Sequence, residues 1–542
     1  MAPGSFEETL HFQGKGTSVE PIVISFAPGR YDLFPDKMLR RRFDISNANS
    51  DAETKKVLAL FFEGAEHVKL IGAGATLVCR GKMIELCMKE CVSIEVEGIS
   101  IDYQRPTVSE WTVISTGRDW AEIQVHPDSC YRIEEGKITW VGEGWSESTG
   151  LAQELIPETF KVWRRKDPLQ GLQLEEIEPN HLRAVGVHDM VTGRAFQLRN
   201  PFRDGVGVFI QNSRDVVLRK VHLIFMHGMG VLCQFSENIT LEDVKIAPKE
   251  ESGRTTSAWA DCTHFSSCRG KVVLRNCTFN GAHDDAVNVH GTHLRVIGRE
   301  GERRARVAFM HPQTFGFQAF YPGDEIEYVH ADSLAAYGKA LVEAVEVVSP
   351  YEQLLTLDRS VPEDLRENDV VENVTWTPEV ELRDCKVMGI PTRGFLLTTR
   401  RRVVVERNTF VSLGNGIHIE SDGEGWFESG CVRDMLICNN RFLSGKGPAI
   451  KISPHNSVTN NSIHRNIEIR KNEFDLSEGF SALEAHGVRG LMMKDNSIDL
   501  PAFMPVDEVA VIRECEQVVI ENHDFGKLDR SSSEVIPWRG WR

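Results

Sequence analysis

The chain has 542 residues, of which 41% are hydrophobic and 26% are charged, a composition typical of a folded protein rather than a disordered one. Its formal net charge of −17 disfavours binding to nucleic acid or to anionic lipid, because the sequence has no long basic run to offset it. No apolar stretch approaches the ~18 residues that a membrane-spanning helix requires.

Residues 1–20 are predicted to be an N-terminal leader or an expression-vector remnant. The stretch MAPGSFEETLHFQGKG lacks the apolar segment that a secretory signal carries. The chain is therefore expected to be soluble and, as written, cytoplasmic. A secreted or periplasmic location would follow if a signal had been removed.

A short repeat determines the predicted fold. GVFIQNSRDVVLRKVHL at 207–223 aligns with GVLCQFSENITLEDVKI at 230–246, so that equivalent residues such as Leu218 and Leu241 are 23 apart. Short alternating strands at this period are typical of coils that pair with the coils above and below, ~4.8 Å away. The sequence therefore predicts an all-β protein, a right-handed parallel β-helix, with coils in residues 21–104, 201–296 and 376–525.

Two regions lose the repeat and are predicted to be inserted β-barrels. Residues 105–200 contain five of the ten tryptophans and alternating pieces such as WTVIS and AEIQVH between turns. Residues 297–375 contain further alternating runs, among them GDEIEYVH, LLTLD and DVVENVTW. Runs of this kind indicate antiparallel strands.

Three aspartates carry the chemistry predicted for residues 201–296. Asp261 and Asp284 are 23 residues apart, so the repeat predicts that their carboxylates stack on neighbouring coils, with Asp285 beside the second. At an effective dielectric constant of ~20, two charges ~5 Å apart repel by about 3 kcal/mol, which corresponds to roughly 2 pH units in pKa. One acid is therefore expected to stay protonated near neutral pH. A protonated acid beside an ionised one is what glycoside hydrolysis uses.

Other interpretations of this segment remain open. Asp284 and Asp285 follow Gly281 and could form a solvated turn, or the three carboxylates could bind calcium. The histidines nearby lack the ligand spacing of a zinc site. We therefore predict no metal and no cofactor.

The C-terminal coils share a second pattern, in which Asn follows an apolar run and precedes a large apolar residue. Asn408 with Phe410, Asn440 with Phe442, and Asn472 with Phe474 show it. An Asn at a coil corner can adopt the left-handed conformation and bond to its neighbour's amide, while the stacked Phe fill the interior. Residues 526–542, which include SSSEVIPWRGWR, show no pattern and are predicted to be a tail along the end of the helix.

The acidic segment also carries a family resemblance. AWADCTHFSSCRGKVVLRNCTFNGAHDDAVNVHGTHLRV resembles the signature of glycoside hydrolase family 110, the α-1,3-galactosidases that remove terminal galactose from blood-group-B-type structures. PIVISFAPGRYDLFP, FDISN, GIPTRGFLLTTRRRVVVERNTF and GWFESGCVRDMLICNNRF also resemble that family, so the likeness spans ~20 to ~475. It implies a bacterial enzyme with a β-helix and β-barrel insertions. It also implies metal-independent, inverting exo-hydrolysis of α-1,3-linked galactose.

The resemblance places Asp261, Asp284 and Asp285 at the positions of the family's acidic cluster. Polygalacturonases, which are β-helix hydrolases, have a similar arrangement. By that analogy Asp284 is the general acid, while Asp261 and Asp285 position the water as base. A carboxylate from the second insertion, such as Glu325, is an alternative for one of the three.

Galactose recognition requires polar groups for the hydroxyls and an apolar platform for the C–H face of the sugar. The predicted substrate-binding residues are Arg393, Trp426, Glu428, His264 and Arg254. Arg393 lies in a turn between coils, and Trp426 and Glu428 lie in the glycine-rich loop SDGEGWFESG. His264 and Arg254 flank Asp261 in the sequence and are expected to influence its pKa.

Two other function classes remain open. A polysaccharide lyase would need a uronic-acid substrate, usually with Ca²⁺ and an Arg or Lys base. A non-catalytic, tailspike-like adhesin would form trimers and bind carbohydrate without turnover. The predicted partners are terminal α-galactoside oligosaccharides or glycoconjugates, branched or linear, with no nucleic acid and no membrane span, and the oligomeric state is left open.

Overall fold

The computed structural model describes residues 1–49, 55–458 and 462–526. The regular secondary structure of this part of the chain is almost entirely β-strand, and its helical segments are two 3₁₀ turns, Glu250–Ser252 and Val506–Glu508. Within the same ranges, no helix is long and apolar enough to cross a membrane. The predicted all-β class is confirmed.

Successive coils place parallel strands on three faces of a right-handed β-helix. Face one consists of Leu10–Phe12, Lys55–Glu63, Ile84–Lys89, Val206–Gln211, Met229–Gln234, Thr263–Ser266, the start of Val287–Arg299, Arg393–Leu397, Asn415–Ile419, Ile450–Ile452, Leu483–His486 and Ala510–Arg513. Face two consists of Ile22–Ser25, the first halves of Glu66–Cys79 and Val92–Tyr103, Arg214–Arg219, Glu237–Glu242, Arg269–Arg275, Glu379–Arg383, Val403–Glu406, Met435–Cys438, His464–Arg470, Val488–Lys494 and Glu516–Glu521.

Face three completes each coil with short strands. It consists of Gly4–Phe6, Gly29–Leu33, the second halves of Glu66–Cys79 and Val92–Tyr103, His222–Leu223, Lys245–Ile246, Thr278–Asn280, Lys386–Met388, Thr409–Val411, Arg441–Leu443, Glu473–Asp475, Ser497–Asp499 and Asp524–Phe525. Two short strands, Arg40–Arg42 and Glu428–Ser429, pair antiparallel with face-one strands at the side of the helix.

The strand register explains the repeat seen in the sequence. Val208 faces Val231 and Val216 faces Ile239, each pair 23 residues apart. Like residues therefore stack inside the helix, and the rings of Phe410 and Phe442 lie 4.9 Å apart, as neighbouring strands do.

The asparagine ladder forms, although its conformation differs from the prediction. The backbone N–H of Asn408 donates to the side-chain oxygen of Asn440, and that of Asn440 donates to Asn472, both at 2.9 Å. The left-handed residue is the one before each Asn, for example Arg407 and Asn439, with φ of 55° and 57°. The ladder Asn is thereby free to point its amide along the stack.

The first insertion is an antiparallel module of two open sheets between two helix coils, whereas a β-barrel was predicted. Its strands are Val108–Thr116, Trp120–Val125, Cys130–Glu134, Lys137–Gly142, Trp145–Glu147, Leu151–Ile156, Lys161–Lys166, Gln173–Glu178, His181–Val185 and Ala195–Arg199, arranged as a seven-stranded and a three-stranded sheet. Trp111 stacks against Trp140 and Phe196 in its core, with ring centroids 5.3 and 5.7 Å away. The edge strand Lys161–Lys166 reaches the site described below.

The second insertion is a closed six-stranded barrel. Its strands are the end of Val287–Arg299, then Arg304–Ala308, Glu325–His330, Ala335–Val347, Glu352–Leu357 and Val370–Asn373. The strand Val287–Arg299 belongs to both face one and the barrel, so the barrel is attached directly beside the acidic segment.

The N-terminal end of the chain differs from its prediction, and most of the C-terminal end lies outside the described residues. Gly4–Phe6 and Leu10–Phe12 pair with later coils, and Phe6 and Phe12 pack on the core. Residues in this stretch therefore belong to the helix, although residues 1–20 were predicted to be an N-terminal leader or an expression-vector remnant. Most of the predicted tail, residues 527–542, lies outside the described residues.

Candidate active site

A polar cleft of about 190 Å³ opens where the chain enters three successive face-one strands. Asp261 precedes Thr263–Ser266, Asp284 and Asp285 precede Val287–Arg299, and Arg393 begins Arg393–Leu397. The residues that line the cleft are Asn47, Arg203, Asp261, Asp284, Asp285, Asn288, Arg393, Leu396, Thr398, Glu420, Ser421, Asp422, Trp426 and Glu428. The structure therefore brings the three predicted acids together with Arg393, Trp426 and Glu428.

The register of the acids differs from the prediction by one residue. Thr263 faces Val287, an offset of 24, so Asp261 is level with Asp285 rather than with Asp284. The extra residue lies in a bulge on face two, where the pairing shifts between Glu237 and Ile239 and Gly270 adopts a φ of +65°. A bulge of this kind inserts one residue without ending the sheet.

Asp284 is surrounded by arginines. Arg164 Nη2 lies 3.0 Å from its Oδ1, and Arg203 Nη2 lies 3.5 Å from its Oδ2. Burial alone would raise the pKa of Asp284, but the charges of Arg164, Arg203 and Arg393 outweigh it and hold that pKa below its usual value. Asp284 is therefore an ionised carboxylate at neutral pH.

Asp285 holds Arg393 in place. Its Oδ1 accepts from Thr392 Oγ1 at 2.7 Å and from Arg393 Nε at 2.8 Å, while its Oδ2 accepts from Arg393 Nη2 at 2.7 Å. Burial raises the pKa of Asp285 to about 6, against the opposing charge of Arg393. A two-point contact of this kind fixes the plane of the guanidinium group.

Asp261 has the opposite surroundings to Asp284. Its side chain is only 3% exposed, and its Oδ2 lies 2.8 Å from Nδ1 of His264. Burial and the charge of Asp284 raise the pKa of Asp261 to about 7. The cluster therefore holds a carboxyl group that is partly protonated near neutral pH, next to one that is ionised.

Amide and carboxylate groups form the opposite wall of the cleft. Asn47 Nδ2 donates to Glu428 Oε1 at 2.6 Å, and Asn288 Nδ2 lies 3.5 Å from both Glu428 oxygens. Burial would raise the pKa of Glu428, but His290, His264 and Arg393 hold it below its usual value. Burial raises the pKa of Glu420 to about 7. This wall offers several hydrogen-bond donors and acceptors for sugar hydroxyls.

Trp426 forms an aromatic platform at the cleft. Its side chain is 43% exposed and stacks on His311 of the second insertion, with ring centroids 4.1 Å apart. Asp422 fixes the loop by accepting from the backbone N–H of Glu424 at 2.7 Å and of Gly425 at 2.8 Å. An exposed ring held in this way can pack against the apolar face of a ligand.

The structure does not bring every predicted residue to the cleft. Arg254 is buried elsewhere and donates to Asp102 at 2.6 Å. His264 is fully buried behind Asp261 and does not line the cleft. Glu325 pairs with Lys339 at 3.3 Å on the second insertion and is also absent from the cleft lining.

Sequence reasoning missed several cleft residues. Asn47 lies in the FDISN motif and was not assigned a role, although an Asn in a matching motif was a usable signal. Arg164 and Arg203 lie in and just after the first insertion, where the repeat is lost and the spacing gives no spatial position. Glu420 directly follows the strand Asn415–Ile419. The sequence around it shows no pattern that marks it as a cleft residue.

Within residues 1–49, 55–458 and 462–526, no group of three or more His, Cys, Asp or Glu side chains is arranged to hold a metal ion. In the acidic cluster, arginine and histidine nitrogens contact Asp284 and Asp261 where a cation would otherwise bind. The absence of a metal from the reaction stays a prediction.

Comparison with family models and with known proteins gives consistent matches. Residues 304–371 match the model described as GLAA-B beta-barrel domain II, and residues 370–499 match the right-handed beta helix region. Alpha-1,3-galactosidase A of Bacteroides thetaiotaomicron is 38% identical over 493 residues, covering 88% of this chain and 86% of that protein. Alpha-1,3-galactosidase A of Akkermansia muciniphila is 39% identical over 484 residues, covering 88% and 81%.

More distant similarities include alpha-1,3-galactosidase B of Bacteroides thetaiotaomicron, which is 29% identical over 531 residues, covering 92% of this chain and 85% of that protein. Among solved structures, a hyperthermoactive exopolygalacturonase from Thermotoga maritima aligns with 97% of this chain and 83% of its own, at 11% identity and a TM-score of 0.38.

Proposed function

The chain belongs to the family of the α-1,3-galactosidases and is a galactosidase-type glycoside hydrolase, and on that basis we propose that it releases terminal α-1,3-linked galactose from oligosaccharides or glycoconjugates. We further propose that it acts at the chain end and inverts the anomeric configuration. The motif resemblance described above supports placing it in glycoside hydrolase family 110.

The contrast between Asp261 and Asp284 carries the proposal. Burial and the charge of Asp284 raise the pKa of Asp261 to about 7, so part of the Asp261 population carries a proton near neutral pH. Asp284 is ionised because arginines surround it. A donor beside an acceptor is the minimum that glycoside hydrolysis requires.

In the proposed reaction, Asp261 gives its proton to the glycosidic oxygen as the bond from that oxygen to C1 of galactose breaks. A water attacks C1 from the opposite side and passes a proton to the carboxylate of Asp284. This assignment reverses the one expected from the polygalacturonase analogy. The physical reason is that the arginine contacts of Asp284 stabilise its ionised form, which cannot donate a proton.

Asp285 supports the reaction indirectly. Its oxygens are engaged with Arg393 and Thr392, so its role is to orient Arg393 toward the cleft. Arg393 also lies 4.0 Å from Asp284 Oδ1 and 3.8 Å from Glu420. In this position its guanidinium can donate to a hydroxyl of bound galactose.

The opposite wall and the aromatic platform supply substrate recognition in this proposal. Asn47, Asn288 and Glu428 bind galactose hydroxyls, and Trp426 packs against the C–H face of a sugar. The cleft encloses about 190 Å³, less than the usual size of small-ligand sites, and so small a space favours binding of a single terminal sugar.

The experiment is incubation with α-1,3-galactobiose and with a blood-group-B trisaccharide, followed by chromatography of free galactose. Release from the trisaccharide, the disaccharide or both defines the preference for a branched or linear substrate. The α-1,4- and α-1,6-linked galactobioses test the linkage. Asp434→Asn is the matched control variant, because Asp434 is a half-exposed aspartate that pairs with Arg402 at the surface.

The outcomes separate the proposed function from the alternatives. A lyase would yield an unsaturated product that absorbs ultraviolet light and would leave galactosides intact. An adhesin would bind the sugars without releasing galactose. Either result would contradict the proposal.

A further inference from the structure

A second groove lies between the C-terminal coils and the second insertion. It encloses about 730 Å³, against about 190 Å³ for the cleft that holds the acids, and the two share no lining residue. One wall consists of the first residues of the strand Ala335–Val347, and the other includes Arg433, Arg465 and Arg489 on the coils. The proposed reaction uses none of these residues.

This groove is basic although the chain as a whole is acidic. The cationic side chains that line it are Lys339, Arg359, Arg433, Arg465 and Arg489. The acidic side chains in the lining are Glu327 and Glu516. The whole chain, by contrast, has a formal net charge of −17. Positive charge gathered on the walls of a groove attracts anions to that place even when the rest of the surface repels them.

Three of the arginines stack on successive coils. Arg465 pairs in register with Arg489, and Met435 pairs with Ile467, which places Arg433 level with Arg465. Neighbouring strands are ~4.8 Å apart, and like charges directly opposite each other destabilise a sheet. This arginine column is therefore stabilised by a negative charge placed beside it.

The acidic side chains nearby neutralise the arginine column only in part. Arg433 Nη2 lies 3.6 Å from Glu327, and Arg489 Nε lies 3.7 Å from Glu516, and both distances are too long for a hydrogen bond. Glu327 is also shared with other cations, the closest of which is 2.8 Å away. Within the described ranges, Arg465 forms no ion pair with an acidic side chain. The three guanidinium groups thus retain donors for a ligand.

Tyr337 adds an aromatic surface to the groove. Its ring stacks on His330 with centroids 4.0 Å apart, and its hydroxyl donates to Asp369 at 2.8 Å. These contacts fix the ring while it still lines the groove. A fixed ring beside guanidinium groups suits a sugar that carries a negative charge, because the ring packs on C–H groups and the arginines bind the charge.

We propose that the groove formed by the arginine column and Tyr337 is a second glycan site, which binds a sugar bearing a sulfate ester or a carboxylate. The planar guanidinium fork matches both anionic groups, since each presents two oxygens side by side. The inference goes beyond the proposed function, which concerns a terminal galactose in a separate cleft. Together with that function, the groove holds an acidic glycoconjugate on the protein while its neutral chain ends are hydrolysed.

An acidic glycan fits this groove better than a nucleic acid does. A nucleic acid carries a charge at every nucleotide, so a bound strand would extend from the groove onto a chain whose net charge is −17. A glycan carries its charges on separate sugars, with neutral C–H faces between them. Positive charge confined to a groove, together with a fixed aromatic ring, matches the glycan pattern.

The test is isothermal titration calorimetry with four probes. Sulfated N-acetyllactosamine carries a sulfate ester, sialyllactose carries a carboxylate, lactose is neutral, and a short oligonucleotide represents nucleic acid. We expect one or both of the charged sugars to bind, and the one that binds identifies the anionic group. Their affinity should fall as the NaCl concentration rises, because salt screens an exposed ionic contact.

Arg465 is the residue to substitute, because it is exposed and lies in the middle of the arginine column. Arg465→Gln should weaken binding of the charged sugar by about tenfold, the effect of losing one charged hydrogen-bond contact. Arg465→Lys retains the charge without the fork and should bind with intermediate affinity. The matched control is Arg214→Gln, since Arg214 is exposed on the same face of the helix and outside the groove. Circular dichroism checks that each variant folds.

Several outcomes would overturn the inference. They are equal binding of lactose and the charged sugars, tighter binding of the oligonucleotide than of either charged sugar, and a loss of affinity in Arg465→Gln no greater than in Arg214→Gln. Displacement of the charged sugars by excess galactose would also overturn it, because it would place them in the cleft. The titration involves no turnover, so a failure of the charged sugars to bind overturns this inference and not the proposed function.

Discussion

Replacing Asp261 with Asn tests where the proton resides without any substrate. An Asp in an unfolded chain has a pKa of about 4, whereas burial and the charge of Asp284 raise the pKa of Asp261 to about 7 in the folded protein. Between these values the folded state retains a proton that the unfolded state has released, so stability falls as the pH rises from about 4 to about 7. The shift lowers the free energy of unfolding by about 1.4 kcal/mol for each pH unit between these values. Asp261 therefore destabilises the folded state by up to about 4 kcal/mol above pH 7 and does not destabilise it below pH 4.

Asn removes this cost because it has no proton to lose. Its amide can also form a hydrogen bond with Nδ1 of His264, which lies 2.8 Å from Oδ2 of Asp261. Asp261→Asn should therefore be more stable than the unsubstituted protein at pH 8, by up to about 4 kcal/mol, and nearly equal to it at pH 4. The midpoint of urea unfolding, followed by circular dichroism at pH 4, 6 and 8, measures the difference.

Asp434→Asn, an exposed aspartate paired with Arg402, is the control and should show no such pH trend. A stability difference for Asp261→Asn that is the same at pH 4 and pH 8, or that favours the unsubstituted protein at pH 8, would refute a buried proton on Asp261.

The remaining predictions concern the reaction. Asp284→Asn should lower kcat by about 10²–10⁴-fold while leaving the circular dichroism unchanged, because the proton acceptor is lost; turnover within tenfold of the unsubstituted protein would remove Asp284 from catalysis. Proton NMR of fresh product should show β-galactose first, as an inverting reaction on an α-linkage requires, and an initial α-anomer signal would exclude inversion. Activity on an α-1,3-galactoside should survive dialysis against EDTA, because a metal on these carboxylates would keep all of them ionised; a loss restored only by Ca²⁺ would mean that the carboxylates are ligands.

The architecture could be predicted because it repeats. Each coil meets the same neighbours, so the 23-residue spacing of Leu218 and Leu241 reports a real pairing between strands. The same logic brought Asp261 and the Asp284–Asp285 pair to adjacent coils. The predicted register is wrong by one residue, because the bulge at Gly270 lengthens its coil by one residue. The 23-residue spacing was measured in residues 207–246, which lie before this bulge.

The electrostatics of the site could not be predicted because they depend on the insertions. Arg164 reaches Asp284 from an edge strand of the first insertion, where no repeat relates sequence to position. Its charge is one reason that Asp284 differs from Asp261. Two aspartates that look equivalent in the sequence thus differ in pKa, because arginines more than fifty positions away lower the pKa of Asp284.

The interpretation of the histidines also needed coordinates. His264 and Arg254 both flank Asp261 in the sequence, but only His264 contacts it. Arg254 pairs with Asp102 instead, on an earlier coil. Proximity along the chain does not distinguish the two residues.

Release of galactose from α-1,3-galactobiose, compared between the unsubstituted protein, Asp261→Asn and Asp284→Asn, tests the account most directly. All three proteins should fold, and chromatography should detect free galactose from the unsubstituted protein and a rate lower by at least about 10²-fold from each variant. No galactose from the unsubstituted protein, or comparable release from either variant, would contradict a galactosidase that works through a protonated Asp261 and an ionised Asp284.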